Sequence, residues 1–160
     1  KAAQQALDNT LRLAPDNLPA LVMQIEVLDK QGQGEAARLL LARQLKAQPD
    51  SAYLQHALGM WLLHHGQSEF ALLGLSKAVE LEPDNAEYRT TLAVTLHELE
   101  QVDAAQKQLE TVLSREPANR RARLLLIQYW KETGQLQNVQ VLLAELERQN
   151  PDDPVLQQGL

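Results

Sequence analysis

The chain has 160 residues, 71 of them apolar, which is enough for a folded core and excludes a disordered chain. Leu and Ala supply 52 of those 71, Val and Ile 11 and aromatics 6, a balance that favours helix and excludes an all-β fold. A formal charge of -6 argues against a nucleic-acid footprint over the whole surface, while the lack of cysteine excludes a disulfide framework, a thiolate nucleophile, covalent haem attachment and thiolate-bound zinc.

The first expected helix covers residues 2–13, with Ala3, Ala6, Leu7 and Leu11 along its apolar side. Pro15 ends it, and Asn17 offers an acceptor to the free N–H groups of the next helix. That helix is expected over 18–31, breaks at Gly32 to Gly34, and is followed by a second over 35–48, closed by Pro49. The order then recurs. Ser51 caps a helix over 52–65, Gly66 to Ser68 break it, and a helix over 69–82 runs up to Pro83. Asn85 caps 86–99, Glu100 to Asp103 break it, and 103–115 leads to Pro117. Asn119 caps 120–133, Gly134 to Gln137 break it, and 137–149 leads to Pro151, with Asp153 as the last cap. The five prolines are each 34 residues apart, the mark of a repeat array.

Each unit is therefore a helical hairpin. In the second, Leu54, Leu58 and Leu62 recur every four residues and face Ala71, Leu75 and Ala78. Neither stripe is wide enough to be buried alone, so neighbouring hairpins must stack to complete a core. Uninterrupted apolar runs reach only about four residues, far short of a membrane span.

The period, the terminal proline and the small-residue contacts resemble the tetratricopeptide repeat. In that pattern a small residue of the first helix meets an alanine of the second: Gly59 with Ala71 and Ala93 with Ala105 match it. Ile25 with Ala37 matches half of it, and Ile127 with Val139 departs, so the last hairpin is expected to splay. Trp130 stands where the family has a large aromatic, with Leu28, Leu62 and Leu96 as aliphatic substitutes, and Glu100 replaces the glycine of Gly32, Gly66 and Gly134. The resemblance implies an all-α, right-handed superhelical solenoid of antiparallel helical hairpins. Its repeats fall at 18–51, 52–85, 86–119 and 120–153, with 1–17 as the second half of a truncated repeat and 154–160 as the start of a further or capping helix. The chain is thus expected to be a segment of a longer protein. Its 19 Gln, and 9 Arg against 6 Lys, point to a bacterial source, with a cytoplasmic or periplasmic location left open.

The resemblance also implies that ligands lie in the concave surface lined by first helices. The matching residues are Pro19, Val22, Met23, Glu26 and Asp29, then Tyr53, His56, Met60, Leu63 and His64. The third hairpin adds Glu87, Thr90, Val94, His97 and Glu98, and the fourth Arg121, Leu124, Gln128, Lys131 and Glu132. Adaptable Met and rigid Tyr suit recognition of a peptide or helix, against the plainer reading that some of these side chains are core. The Lys and Asn pairs with which some family members clamp a peptide's terminal carboxylate are missing here.

His56, His64, His65 and His97 raise a metal site, but tetrahedral convergence is not evident, and no metal or cofactor is expected. Arg120, Arg121 and Arg123 crowd a helix N-terminus, where positive charge is unfavourable. Neutralisation by Glu87, Glu116, Asp152 or Asp153 accounts for them, or else a partner with an acidic end does. No nucleophile with a base and no phosphate loop emerges, so the chain is expected to be non-catalytic.

The leading expectation is an interaction module that holds a peptide or helix of a partner protein. The alternative is a structural spacer or assembly scaffold in a multiprotein complex, of the bacterial envelope for instance. The apolar side of helix 2–13, left without its first-helix partner, is expected to form a dimer contact.

Overall fold

The computed structural model describes residues 7, 9–11, 13, 14 and 17–149. Eight complete helices stand among them: α1 (Leu18–Lys30), α2 (Gly34–Ala47), α3 (Ala52–His64), α4 (Ser68–Leu81), α5 (Ala86–Glu98), α6 (Val102–Arg115), α7 (Arg120–Glu132) and α8 (Leu136–Gln149). First helices begin at the expected residue. Second helices begin one residue earlier than the pattern suggested, because the residue after each break is already helical.

Local chemistry explains both ends of the first helices. Asn17 Oδ1 accepts from the Ala20 amide at 3.0 Å, Ser51 Oγ from Leu54 at 3.3 Å, Asn85 Oδ1 from Tyr88 at 3.2 Å and Asn119 Oδ1 from Ala122 at 3.0 Å. Each cap satisfies an N–H that the helix itself leaves open. At the other end the chain turns through a residue in the left-handed region: Gly32 (φ 75°), Gly66 (68°), Glu100 (59°) and Gly134 (72°). The following amide then reaches back five residues, Gln33 to the Leu28 carbonyl, Gln67 to Leu62 and Gln101 to Leu96 at 2.9 Å, and Gln135 to Trp130 at 2.7 Å. That bond closes the turn and occupies a carbonyl of the last helical turn.

Contacts divide the chain into two compact units, Lys1–Pro83 and Asp84–Leu160. In the first, Leu21, Ile25, Ala37, Leu41 and Leu54 form a buried cluster between α1, α2 and α3, with Leu11, Leu28, Leu58 and Trp61 packed on it. Leu7 is buried as well. Both Leu7 and Leu11 were expected on an uncovered face, and their inward packing corrects that. Ala3 and Ala6 lie outside the described residues.

The tightest approach in this unit is between α3 and α4. A Cβ on Gly59 would sit 2.4 Å from Leu75 Cγ, and one on Gly74 would sit 2.9 Å from the Gln55 carbonyl oxygen. Ala71 is fully buried, but the α4 side chain that a Cβ on Gly59 would meet is Leu75, and the α4 residue where the approach demands glycine is Gly74.

In the second unit Leu92, Ala93 and Leu96 of α5, Ala105, Leu109 and Val112 of α6, and Ala122, Leu126, Ile127 and Trp130 of α7 are buried. Among the described residues α7 packs more closely on α6 than on α8, in keeping with the poor small-residue match of Ile127 and Val139. Three buried threonines of α5 need no outside partner: the hydroxyls of Thr90, Thr91 and Thr95 donate to the carbonyls of Ala86, Glu87 and Thr91 at 2.7, 3.0 and 3.0 Å.

Two substitutions test these constraints by urea denaturation. Glu100→Gly should stabilise by about 0.5–1 kcal/mol, since it relieves a left-handed side chain at the cost of unfolded-state entropy. Gly74→Ala should cost about 1–3 kcal/mol, because the new methyl meets backbone that cannot rotate away.

Candidate binding surface

The 34-residue period places the first-helix residues in columns, and the two units fill the same columns with different chemistry. In the first unit α1 contributes Val22, Met23 and Glu26 and α3 contributes Tyr53, His56, Met60, Leu63 and His64. Met23 is 56% and Met60 47% exposed, and Tyr53 is exposed beside them. Val22, His56 and Leu63 are half-buried, and Glu26 and His64 are exposed. Two periods later, Arg121 stands in the column of Tyr53, Gln128 in that of Met60 and Lys131 in that of Leu63, all three exposed. Leu124, Val94 and His97 are half-buried. The first unit thus offers an apolar surface and the second a polar one of mixed charge, with Glu87, Glu98 and Glu132 exposed beside Arg121 and Lys131.

Two expected contact residues are not available. Thr90 is only 2% exposed, its hydroxyl held within α5. Arg123 is buried, and its Nη2 donates to the Pro117 carbonyl at 2.7 Å, so the basic corner loses one of its three arginines to the loop before α7. Guanidinium in this place satisfies a loop carbonyl rather than a ligand. Arg120 and Arg121 remain exposed. The carboxylate of Glu116 accepts from the Asn119 side chain at 2.8 Å.

The histidines turn out to be the joints between successive first helices. His65 Nε2 lies 3.1 Å from Asp29 Oδ1 of α1, while its Nδ1 lies 2.7 Å from the Trp61 carbonyl oxygen and its ring stacks on Trp61 at 4.0 Å. His64 is 3.9 Å from the other oxygen of Asp29. In the second unit His97 Nε2 lies 2.7 Å from Glu132 Oε2, and its ring lies flat on Tyr129 at 3.8 Å. Gln128 Nε2 donates to the second oxygen of Glu132 at 2.8 Å. His97 and Gln128, expected to face a ligand, are therefore partly engaged within the chain. Among the described residues no group of three or more His, Asp or Glu converges as a metal site would require.

Trp61 and Tyr129 were not anticipated as partners of histidine. Part of the signal was present: Asp29 and His97, and Trp61 and Tyr129, each stand two periods apart. The histidine that closes the first joint, His65, stands in the column of Thr133, so the two joints are not built on equivalent positions throughout.

These contacts leave their mark on acidity. Glu132 is held below the usual carboxylate range chiefly by the Gln128 amide, with desolvation opposing it and His97 adding a smaller downward contribution. Burial, and after it the carboxylates of Glu132 and Glu98, push the Tyr129 phenol up to about 12, with Arg121 acting the other way.

Comparison with known proteins places this geometry. Residues 1–60 match one tetratricopeptide repeat family profile and residues 75–107 another. A curated relative, the uncharacterized protein y4yS of Sinorhizobium fredii (strain NBRC 101917 / NGR234), is 40% identical over 60 residues, 38% of this chain and 33% of that protein. The chain thus spans about a third of the length of the curated relative it matches. Among solved structures, a tetratricopeptide repeat protein from Parabacteroides merdae ATCC 43184 superposes with TM-score 0.73 at 18% identity over 97% of this chain and 62% of that one. MamA gives TM-score 0.71 at 18% identity, over 93% and 84%. An O-GlcNAc transferase mutant of Thermobaculum terrenum gives 0.60 at 26% identity, over 71% of this chain and 22% of the transferase. No helix among the described residues is long and apolar enough to cross a membrane.

The depressed acidity of Glu132 has a definite sign in stability. A carboxylate whose folded pKa lies below its unfolded value of 4.5 favours folding at higher pH, and that contribution is lost as pH falls through the folded value. Glu132→Gln should therefore lower stability at neutral pH and flatten the decline between about pH 5 and pH 3, read from thermal melts across that range.

Proposed function

We propose, starting from the fact that this chain belongs to the tetratricopeptide repeat family, that it is a non-catalytic module holding a peptide or helix of a partner protein on its first-helix faces. The building blocks of that reading are the repeats at 18–51, 52–85, 86–119 and 120–153. The observation that carries it is the exposure of Met23, Met60 and Tyr53 together on α1 and α3. A folded chain gains nothing by leaving Tyr53 and Met60 in water along one face of α3, with Met23 exposed on α1, whereas bound apolar side chains would cover them. Methionine adapts to the shape of what it meets, and tyrosine supplies rigid area at low entropic cost.

Taken by itself, the second unit exposes Arg121 and Lys131 on α7, and a peptide held there would be favoured by an acidic group. Arg123 takes no part in this, because its guanidinium is committed to the Pro117 carbonyl. The likeness to a transferase spans a minor share of that enzyme and enters this reading only as a likeness of the helical array.

Met60→Glu tests the reading. The fold accepts a carboxylate in this column, since Glu26 occupies it in α1 and is exposed. The variant should therefore melt as the parent does while losing partner capture, measured by cross-linking the tagged chain in lysate and identifying the adducts by mass spectrometry. A variant that captures the same partners, or one that unfolds, removes Met60 from the binding surface.

A further inference from the structure

The repeat supplies its own control for the outer faces of the second helices. Position 39 recurs at 73, 107 and 141, and position 36 at 70, 104 and 138. In the third hairpin, α6 carries Ala104 and Lys107 there, with the lysine exposed. The hairpin therefore does not require a large apolar side chain at either position. In the first unit, α2 and α4 nevertheless carry Leu39, Phe70 and Leu73, which are 56%, 64% and 73% exposed. Phe70 and Leu73 are three residues apart and share one face of α4. Leu39 holds the matching place on α2, and both helices pack against α3 within the same unit. Val141 of α8 repeats the leucine column, but with Asn138 in place of the phenylalanine.

The charges beside this patch have a sign of their own. Glu35 is bonded by Arg38 at 2.6 Å and Glu80 by Lys77 at 3.1 Å. Arg43 and Lys46, four and seven residues beyond Leu39, are exposed and pair with no carboxylate among the described residues. Glu69, next to Phe70, is an exposed carboxylate at the border, outnumbered by these two cations. In a chain of net charge -6, the α2 side of the patch is locally positive.

We propose that the outer faces of α2 and α4 are a second docking surface, for a short amphipathic helix of another protein with leucines for Leu39, Phe70 and Leu73 and carboxylates for Arg43 and Lys46. This surface lies on the second helices and is independent of the first-helix reading above. Its three large side chains expose on the order of 300–400 Å², against about 800 Å² per partner in a stable protein pair. That suits one helix docked along the face rather than a dimer. A symmetric dimer through this patch would place the same two cations on both sides of the seam.

The experiment is fluorescence anisotropy on the whole chain. The probe is a fluorescein-labelled peptide of the heptad Glu-Ala-Leu-Leu-Glu-Glu-Leu repeated twice, compared with the same peptide carrying lysine for each glutamate. The acidic probe should bind at least about ten-fold tighter than the basic one. Phe70→Ala with Leu73→Lys installs the residues of the third hairpin, so it should melt as the parent does and weaken the acidic probe by about ten-fold or more. Arg43→Gln with Lys46→Gln changes only exposed charge and should erase the preference for the acidic probe, which keeps the test decisive if the first variant folds poorly. Equal binding of the two probes, or parental affinity in the Phe70 and Leu73 variant, would overturn the proposal. So would sedimentation velocity showing a parental dimer that the Phe70 and Leu73 variant abolishes, which would assign the patch to a second copy of the chain.

Discussion

One left-handed residue and one backbone hydrogen bond close every hairpin, and the rest of the architecture follows from that closure. Once Gly32, Gly66, Glu100 or Gly134 takes a positive φ, the next amide reaches the carbonyl five residues back and the second helix starts at a set place. Because the closure has the same length each time, equivalent residues of successive hairpins fall into columns. A column is then the unit in which packing and chemistry are decided. Leu28, Leu62, Leu96 and Trp130 occupy one, and their carbonyls all accept the closing bond. Glu100 shows how strong the constraint is: the turn imposes the left-handed conformation on a residue ill suited to it.

Within that frame, the glycines of the second hairpin do a different task. Gly59 and Gly74 let α3 and α4 approach until a side chain fills the space a Cβ would need and a carbonyl sits where another would be. The third hairpin meets the same demand with Ala93 and Ala105, both fully buried. The fourth has Ile127 and Val139, and there α7 leans on α6 instead. Bulk at the crossing thus decides which neighbour a helix packs on.

Joints between first helices are polar in both units. Asp29 with His65, and His97 with Glu132, tie successive hairpins through a histidine stacked on an aromatic ring. These pairs constrain the face on which a ligand would lie, because they take His97 and Gln128 into the chain's own network. What is left outward is apolar in the first unit, with Met23, Tyr53 and Met60, and charged in the second, with Arg121 and Lys131 beside Glu87 and Glu98. The two units therefore present different chemistry on equivalent helices. The same contrast appears on the second helices, where Phe70 and Leu73 stand opposite in character to Ala104 and Lys107.

The helices, their caps and their turns were legible from residue order, because each depends on groups within five residues of one another. Asn17, Ser51, Asn85 and Asn119 cap as local chemistry requires, and even the glycine-like turn at Glu100 follows from its column. The direction in which a side chain spends its polar groups was not legible. Thr90 turned to its own helix, Arg123 to a loop carbonyl, and Leu7 and Leu11 to a core built by residues far along the chain. Tyr129 became a platform for His97, which only the stacking of hairpins brings near, as it does His97 and Glu132, 35 residues apart. Periodicity and capping are properties of a single helix and its ends, so sequence alone determined them. Burial and pairing depend on which column of the next hairpin lies opposite, and that was decided only when the hairpins packed.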